Sequence, residues 1–545
     1  MESMNKNRLL FFIFLLSFSP FLFSLPYDMI PVGDPILEDL RYLSLETGRS
    51  FNSFTPPLSP DEVRQFLDSL DISLLSRQLI EVYDRVETRL NRKIPLNISN
   101  NLFTLSLGIN STIEARARFN KEIEWEPVTP KIPALLSLPL RISFAESFQL
   151  YFEPLLSADP EYYSDAGTFG INVPYQAEHF DINLPLRAFV ALGGSWWNFQ
   201  LGRDRVSYGN GQMGNLSISD NSAFYDFARL SVFTSFLKYS VLVSQMPLQL
   251  KSQFYVMNNS DNLSLTTQRF YYLHRVDVTL FKRINFSLSE GLIAGNSGLE
   301  IRYLNPMMIF HSLYSSWDYK SWGDQTPGDG DMNGSFLSLE LNWNIVRSFA
   351  VYGQFAMNEF ATKYELDINP DQPPNSIGYM AGIRYSHSFK SWNSIFYLEF
   401  IKTNPYLYMN STPFASFIQM RRLSLRPGRV EYYYIGYPRD TLAMTLGTKF
   451  YKSRLLNIGG EFSWISRGEH GIVWDWETGS PANQEKTPSG IANNNLIAAI
   501  EAQWNPLSFM SVSGGVSLIF SLNNGHVSGT NETGGQAFLS VSFSY

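Results

Sequence analysis

The chain has 545 residues, of which 44% are hydrophobic and 15% aromatic, with 42 Phe, 29 Tyr and 11 Trp. A net charge of −8 leaves no basic field to hold nucleic acid, and the lack of any cysteine excludes thiol catalysis, disulfides, Fe–S clusters, Cys-ligated zinc and a lipidated cysteine. Mean hydropathy of −0.12 is too low for a polytopic helical membrane protein, yet it suits a β-barrel, where only every second residue must be apolar.

Lys6 and Arg8 precede the apolar run from Leu9 to Phe23, with small Ser24 at its end. This is a charged n-region and an h-region, and it predicts a signal peptide over residues 1–24. Pro20 interrupts the run, which is short for a spanning helix. No later apolar run is long enough to cross as a helix, so an integral form must be a closed barrel.

Residues 31–92 read as a small helical bundle on the periplasmic side. Asp34 can cap a helix with Pro35 at its first position and Gly48 at its end. Ser59-Pro60-Asp61-Glu62 has the capping-box pattern ahead of Val63, Phe66, Leu67 and Leu70. Leu75, Leu79, Val82, Val86 and Leu90 recur at helical spacing, with Glu81, Asp84, Arg85 and Arg89 on a solvated face.

Over residues 100–545 the period is two, from about Leu102 onward. Leu105, Leu107, Ile109, Ile113, Ala115, Ala117 and Phe119 share one face; Glu114, Arg116 and Arg118 share the other. Leu337, Leu339, Leu341 and Trp343 likewise oppose Ser338, Glu340, Asn342 and Asn344. The last strand places Ala537, Leu539, Val541, Phe543 and Tyr545 on one face and stops on that tyrosine. An aromatic C-terminal strand is an aggregation hazard in water, but in a barrel it closes the ring and faces lipid.

Short turns are expected at 282–283, 344–348, 390–391, 438–440, 452–454 and 505–507. Long polar loops are expected near 159–178, 317–334, 367–376, 404–429 and 468–494. This alternation matches short periplasmic turns and long outer loops, and Trp343, Trp392, Tyr451 and Trp504 flank the short turns as an interfacial belt would. The candidate strands number roughly eighteen to twenty. The predicted fold class is all-β transmembrane: a closed antiparallel outer-membrane β-barrel of roughly 18 strands with a small N-terminal α-helical bundle.

Asp329, Asp331, Asn333 and Glu340 satisfy the spacing of a calcium loop, but a strand follows where an EF-hand needs a helix. A turn-rich outer loop is the reading preferred, with neither metal nor cofactor. Trp317 and Trp322, set among Tyr, Ser, Asp and Lys, offer flat faces beside hydrogen-bonding groups, as sugar rings require. The six histidines are scattered, and neither HExxH nor G-x-S-x-G occurs, so an enzyme is not expected. Arg116, Arg118, Arg203 and Arg205, with Glu114 and Glu340, read as salt bridges in the lumen.

One segment goes beyond architecture. Leu201-Gly202-Arg203-Asp204-Arg205-Val206-Ser207-Tyr208-Gly209-Asn210-Gly211, followed by Leu216 to Ser222, resembles the part of Wzi-type capsule-assembly proteins where a Gly- and Arg-bearing strand leads to an aromatic-Gly-x-Gly turn. Gly291 to Gly295 and Glu300 to Pro306 are similar to a later segment of that family. Where the family carries Trp-Gly-Pro, this chain has Ser207-Tyr208-Gly209-Asn210-Gly211. The resemblance implies an eighteen-stranded outer-membrane barrel over a periplasmic bundle, a surface lectin that anchors exported polysaccharide. Arg203, Arg205, Tyr208, Arg302, Trp317 and Trp322 are the ligand-binding candidates. Expected partners are outer-membrane lipid, a surface polysaccharide and, during insertion, the barrel-assembly machinery. A porin-like channel for small polar solutes is the competing function. The two differ in the lumen, which a lectin-like barrel should plug with the small-residue stretch Val206 to Asn221.

Overall fold

In the computed structural model the strands over 197–448 bury most of their polar faces and expose their apolar ones, while Glu461, Glu501 and Gln503, at inward parity in later strands, are exposed. Along Asn333–Val346, Ser338, Glu340, Asn342 and Asn344 are buried, while Leu341 and Trp343 are 38% and 39% exposed. Thr441 and Thr445 are fully buried, whereas the neighbouring Met444 and Leu446 are 41% and 55% exposed. A sheet in water does the reverse, because apolar area leaves water at a gain of about 25 cal/mol per Å². An inverted pattern sustained around a sheet is stable where the outer solvent is lipid.

The structure describes residues 27–91, 96–99, 103–120, 123, 132–144, 147–159, 169–181, 186–249, 266–295, 298–307, 310, 333–360, 362, 374–389, 391–410, 415–422, 430–452, 455–472 and 485–545. The expected signal peptide, 1–24, lies outside them. Three helices come first, α1 (Ile36–Thr47), α2 (Pro60–Asp68) and α3 (Arg77–Leu90). The strands up to the first inward loop are β1 (Leu96–Ser99), β2 (Phe103–Leu107), β3 (Asn110–Phe119), β4 (Leu136–Ser137), β5 (Leu140–Phe144), β6 (Phe148–Glu153), β7 (Leu155–Leu156), β8 (Phe169–Ile171), β9 (Arg187–Gly194) and β10 (Trp197–Asp204). Then follow β11 (Tyr225–Phe233), β12 (Leu237–Gln245), β13 (Leu248–Gln249), β14 (Thr266–Thr267), β15 (Arg269–Leu280), β16 (Ile284–Gly295), β17 (Asn333–Val346), β18 (Phe349–Glu359), β19 (Ser376–Phe389) and β20 (Trp392–Thr403). The last are β21 (Ile418–Arg422), β22 (Val430–Tyr434), β23 (Thr441–Lys452), β24 (Leu456–Arg467), β25 (Asn493–Leu507), β26 (Met510–Leu522) and β27 (Glu532–Ser544).

From β9 to β12, and on through β15–β20 and β23–β27, each strand pairs antiparallel with the next. β27 then pairs along β3, from Gly535↔Phe119 to Ser544↔Asn110. The Tyr545 N–H donates to the Ile109 carbonyl at 2.8 Å and the Ile109 N–H donates to Tyr545 at 2.9 Å, so the terminal tyrosine is fastened in the ladder. β2 and β3 meet β5 and β4 in one continuous register, Leu107↔Leu140 and Asn110↔Ser137. β6 and β7 continue on β5 and β4 in the same way, and β6 pairs with β9.

The helices form as their caps dictate. Gly48 ends α1 at φ +68°, but the N-cap is Pro35 and not Asp34: the Asp34 carboxylate accepts from the Ile36 N–H at 3.1 Å from one position before the cap. Ser59 and Glu62 complete the capping box of α2, and Ser76 caps α3. Of the charges expected on a solvated face, Glu81 and Asp84 are exposed, whereas the arginines are ion-paired between elements: Arg85 with Asp39 at 2.5 Å, and Arg89 with Asp28 at 2.9 Å and Asp34 at 2.8 Å. The helices are seated among strand ends near the short turns. Tyr42 Oη lies 2.5 Å from Ser388 Oγ, Asn344 donates to the Ser44 carbonyl at 3.3 Å, and the Ser348 N–H donates to Leu45 at 2.8 Å.

Two loop expectations need correction. Pro438-Arg439-Asp440 is no hairpin turn; it ends the long connection from β20 to β23, and Arg439 is buried there against Tyr434 Oη and the carbonyls of Pro405 and Gly471. The described parts of the 404–429 connection, 404–410 and 415–422, are not a solvated outer loop either, since Tyr408, Met409, Phe417 and Ile418 are buried in the interior cluster or beside it. Sequence polarity misled because Asn, Ser, Thr and Arg are interleaved with Tyr406, Leu407, Tyr408, Phe417 and Ile418, which bury.

Candidate functional site

The interior centres on the segment that leaves β10 at Asp204 and returns to β11 at Tyr225. Arg205 forms a two-pronged pair with Asp220, its Nε at 2.8 Å, and so clamps the neck of this loop. Inside the neck Tyr208 bridges Ile218 in antiparallel fashion. Val206, Tyr208, Leu216 and Ile218 are at most 1% exposed and pack with Tyr225, Tyr271, Phe336, Met380 and Tyr408.

The tip of the segment turns tightly. Gly209 has φ +129°, and a Cβ at Gly211 would stand 1.8 Å from the Gly214 carbonyl oxygen, so only glycine fits at either position. Several of the tip's polar groups are handed to inward side chains of the strands. Glu399 accepts from the Gln212 N–H at 2.7 Å, the Met213 N–H at 2.9 Å and the Tyr352 hydroxyl at 2.8 Å. Gln354 accepts from the Leu216 N–H at 2.7 Å and donates to Asn215 Oδ1 at 2.8 Å. Arg384 donates to the Asn210 carbonyl while its guanidinium stands 4.3 Å over the Tyr352 ring.

A second inward layer lies against the first. The Tyr437 N–H donates to the Asn215 carbonyl at 2.8 Å, Tyr408 Oη to Leu216 at 2.9 Å, and Asn221 to Gly436 at 2.5 Å. From the helical side, the Ser207 and Gly209 N–H groups donate to the carbonyls of Pro56 and Phe54 at 3.1 and 2.8 Å. The segment is thus held on three sides by buried hydrogen bonds, the arrangement that gives a polar interior a single conformation.

Ion pairs fasten the helical unit to the same interior. Lys238, 1% exposed, bonds to Glu62 and to Thr55 Oγ1 at 2.7 Å, and Asn198 donates to Glu62 at 2.8 Å. The capping-box glutamate therefore also neutralises a strand lysine. Burial raises the Asp28 carboxyl, but Arg141 and Arg89 overcome it and hold the group at about 2. Burial acts likewise on Glu38, and Lys449, Arg41 and Arg384 bring it down to about 2.

The structure does not bring the six ligand-binding candidates together. Arg205 and Tyr208 are in the interior loop, engaged as described. Arg203 is the cross-strand partner of Asp226, at 2.7 and 2.8 Å, on the outward parity of β10 and β11, opposite to buried Gln200, Asp204 and Arg229. It is not a lumen salt bridge. Arg302 is in a 3₁₀ turn (Ile301–Leu304), paired with Glu300 at 2.5 Å. Trp317, Trp322, Asp329 and Asp331 lie outside the described residues. Glu340 pairs with Arg275 at 2.8 Å, and a strand separates it from Asn333 by seven residues, roughly 24 Å, too far to share a calcium ion. Of the other expected lumen bridges, Arg116 meets Glu114 at 3.4 Å and Arg118 meets Gln536 at 2.7 Å. Sequence reasoning missed Glu399, Gln354 and Arg384. Their signal was available, a charged or amide side chain at inward parity in mid-strand, but their partners are some 140 to 190 residues away.

The family model for the capsule assembly protein Wzi matches residues 136–418, just over half the chain. The chain belongs to the Wzi capsule-assembly family. Among solved structures, Wzi of Escherichia coli, an outer-membrane protein involved in group 1 capsule assembly and a carbohydrate-binding β-barrel, aligns with TM-score 0.57 at 12% identity over 94% of this chain and 98% of its own. OccD3 of Pseudomonas aeruginosa (TM-score 0.42, 8% identity, 83% and 93% covered) and OmpT of Vibrio cholerae (0.32, 8%, 82% and 99%) are also similar. No curated protein sequence matches. The family match spans both the 201–222 segment and the 291–306 segment on which the resemblance was read.

Proposed function

We propose that the protein is an integral outer-membrane barrel that binds an exported surface polysaccharide at its outer mouth and does not conduct solutes. Counting β2 with β3, β4 with β5 and β6 with β7 as single strands, the pairings support a closed ring of eighteen. The helical unit over 31–92 faces the periplasm beside the short turns, and the leader over 1–24 directs export. Capsule assembly in the family and carbohydrate binding by the Escherichia coli relative support the ligand class. The observation that carries binding over transport is the plugged interior: Glu399, Gln354 and Arg384 tether the 205–222 segment across the lumen, and the helical unit meets it from the other side.

Trp317 and Trp322 remain the aromatic platforms proposed for sugar stacking. Arg205 and Tyr208 shape the floor beneath, and insertion follows from the C-terminal strand as read by the barrel-assembly machinery. The test uses purified, folded protein and polysaccharide extracted from the surface of the source cells. Saturable binding with electrically silent planar bilayers is expected. Large steady openings without polysaccharide binding would transfer the protein to the porin reading.

A further inference from the structure

Two adjacent residues of one strand, Tyr271 and Tyr272, are both fully buried. Successive side chains of a strand point to opposite faces, so both faces of β15 are covered at this level. Tyr271 belongs to the interior cluster with Tyr208 and Phe336, whereas Tyr272 packs with Leu292, Ala294, Tyr303 and Phe310 in a separate cluster. The second cluster is therefore on the outer wall, and residues 298–307 with Phe310 cover it.

What they cover is polar. His274 and Glu290 are directly opposed in the β15–β16 register, at the outward parity. His274 Nε2 lies 2.8 Å from the Tyr303 carbonyl, which can only accept, so Nε2 carries the hydrogen. Glu290 accepts from the Phe310 N–H at 3.1 Å, and the Phe310 ring stands 4.7 Å from the imidazole. The Glu300 N–H donates to Tyr272 Oη at 2.8 Å, and Tyr239 Oη donates to the Pro306 carbonyl at 3.4 Å.

The depth of this pair follows from strand geometry. His274 is six residues from Leu280, where β15 turns into β16 beside the Trp343 belt, so it stands roughly 20 Å along the strand and about 15 Å above the turn after a 35–45° tilt. An apolar band is about 25 Å tall, so the pair falls within its outer half. Bare polar groups there are costly unless covered and hydrogen-bonded. The segment does both, and turns Leu299, Ile301 and Met307, 54%, 80% and 82% exposed, to the outside.

We propose that residues 298–307 and Phe310 form a strap on the lipid side of the wall, embedded in the outer leaflet, whose partner is the acyl chains. The strap shields the His274–Glu290 pair and replaces the missing apolar surface with its own. It continues the apolar band of neighbouring Phe286, Leu288 and Leu341, each about two-fifths exposed. Arg302, with Glu300, then belongs to the membrane side of the molecule and takes no part in holding a glycan. The inference rests on the barrel reading proposed above.

The chain has no cysteine, so single cysteines label uniquely. Spin labels at Ile301→Cys, Met307→Cys, Leu446→Cys on bare wall and Val527→Cys in an outer connection are compared in the full-length protein in lipid vesicles. Labels at 301 and 307 are expected to match 446, with severalfold higher collision with oxygen than with a water-soluble nickel complex, and 527 to show the opposite. If 301 and 307 match 527 while 446 stays in lipid, the strap is not in the leaflet and the inference falls, with the barrel intact. If 446 is also open to the nickel complex, the membrane reading itself fails and takes the strap with it.

Discussion

Glu399 joins a strand to the inward segment by accepting two successive backbone N–H groups, and a carboxylate does this better than any neutral side chain because charge-assisted bonds are the shorter and stronger ones. Glu399→Ala leaves three donors unmatched, the Gln212 and Met213 N–H groups and the Tyr352 hydroxyl, at about 1–3 kcal/mol for each that stays buried. The expected result is a barrel that inserts normally but shows flickering conductance where the native protein is silent, measured in single-channel recordings. Lys238 and Glu62 present the opposite hazard, a buried pair whose breakage strands a charge. Lys238→Met should destabilise the helical unit by about 3–5 kcal/mol, and adding Glu62→Gln should recover most of it, as read from urea unfolding midpoints. The capping role of Glu62 could be read from Ser59-Pro60-Asp61-Glu62 alone. Its second role could not, because Lys238 is 176 residues distant and arrives only when β12 closes on the helices.

Among the elements, the helical unit is the one most exposed to acid. Asp28 and Glu38 are held at about 2, below the ordinary values of 3.8 and 4.5, by the arginines and lysine around them. A depressed carboxyl stabilises the folded form fully above its ordinary value, and the contribution drains as pH falls toward the depressed one. The unit should therefore loosen between about pH 4.5 and 2 while the strands, tied by their ladders, stay paired. Hydrogen exchange across this range should show protection lost in 36–90 first; equal loss in β23–β26 would contradict it. The helices themselves were legible from spacing and caps, and Leu79, Val82, Val86 and Leu90 are buried as their period requires. The pairing of Arg85 and Arg89 was not, since a charge on the polar side of a helix looks solvated until α1 supplies Asp39 and the residues before it supply Asp34.

At the scale of the whole molecule, the exposed apolar face is continuous from β23 through β27. A charge placed on it must enter lipid. Leu446→Arg is expected to cost about 2–4 kcal/mol in folding equilibria measured in lipid vesicles, with a smaller loss for charges nearer the rims. An unchanged folding equilibrium would remove lipid from that face. The same alternation that exposes Leu446 buries Thr445, which shares its hydroxyl with Ser463 at 2.8 Å inside.

The sequence by itself determined the strands, their two faces and the family, because period two, terminal aromatics and the 201–222 motif are local and survive without any knowledge of partners. It also singled out Val206 to Asn221 from its small and apolar residues, and Val206, Tyr208, Leu216 and Ile218 of that stretch are buried in the interior cluster. Only the tertiary structure decided which side of the wall each arginine occupies. Arg203 and Arg205 are two residues apart and looked equivalent, yet β10 ends between them, so one keeps outward parity beside Asp226 and the other turns inward to Asp220. The covered pair His274 and Glu290 was equally invisible, since alternation predicts that a strand residue faces lipid but cannot say that a later loop returns to cover it.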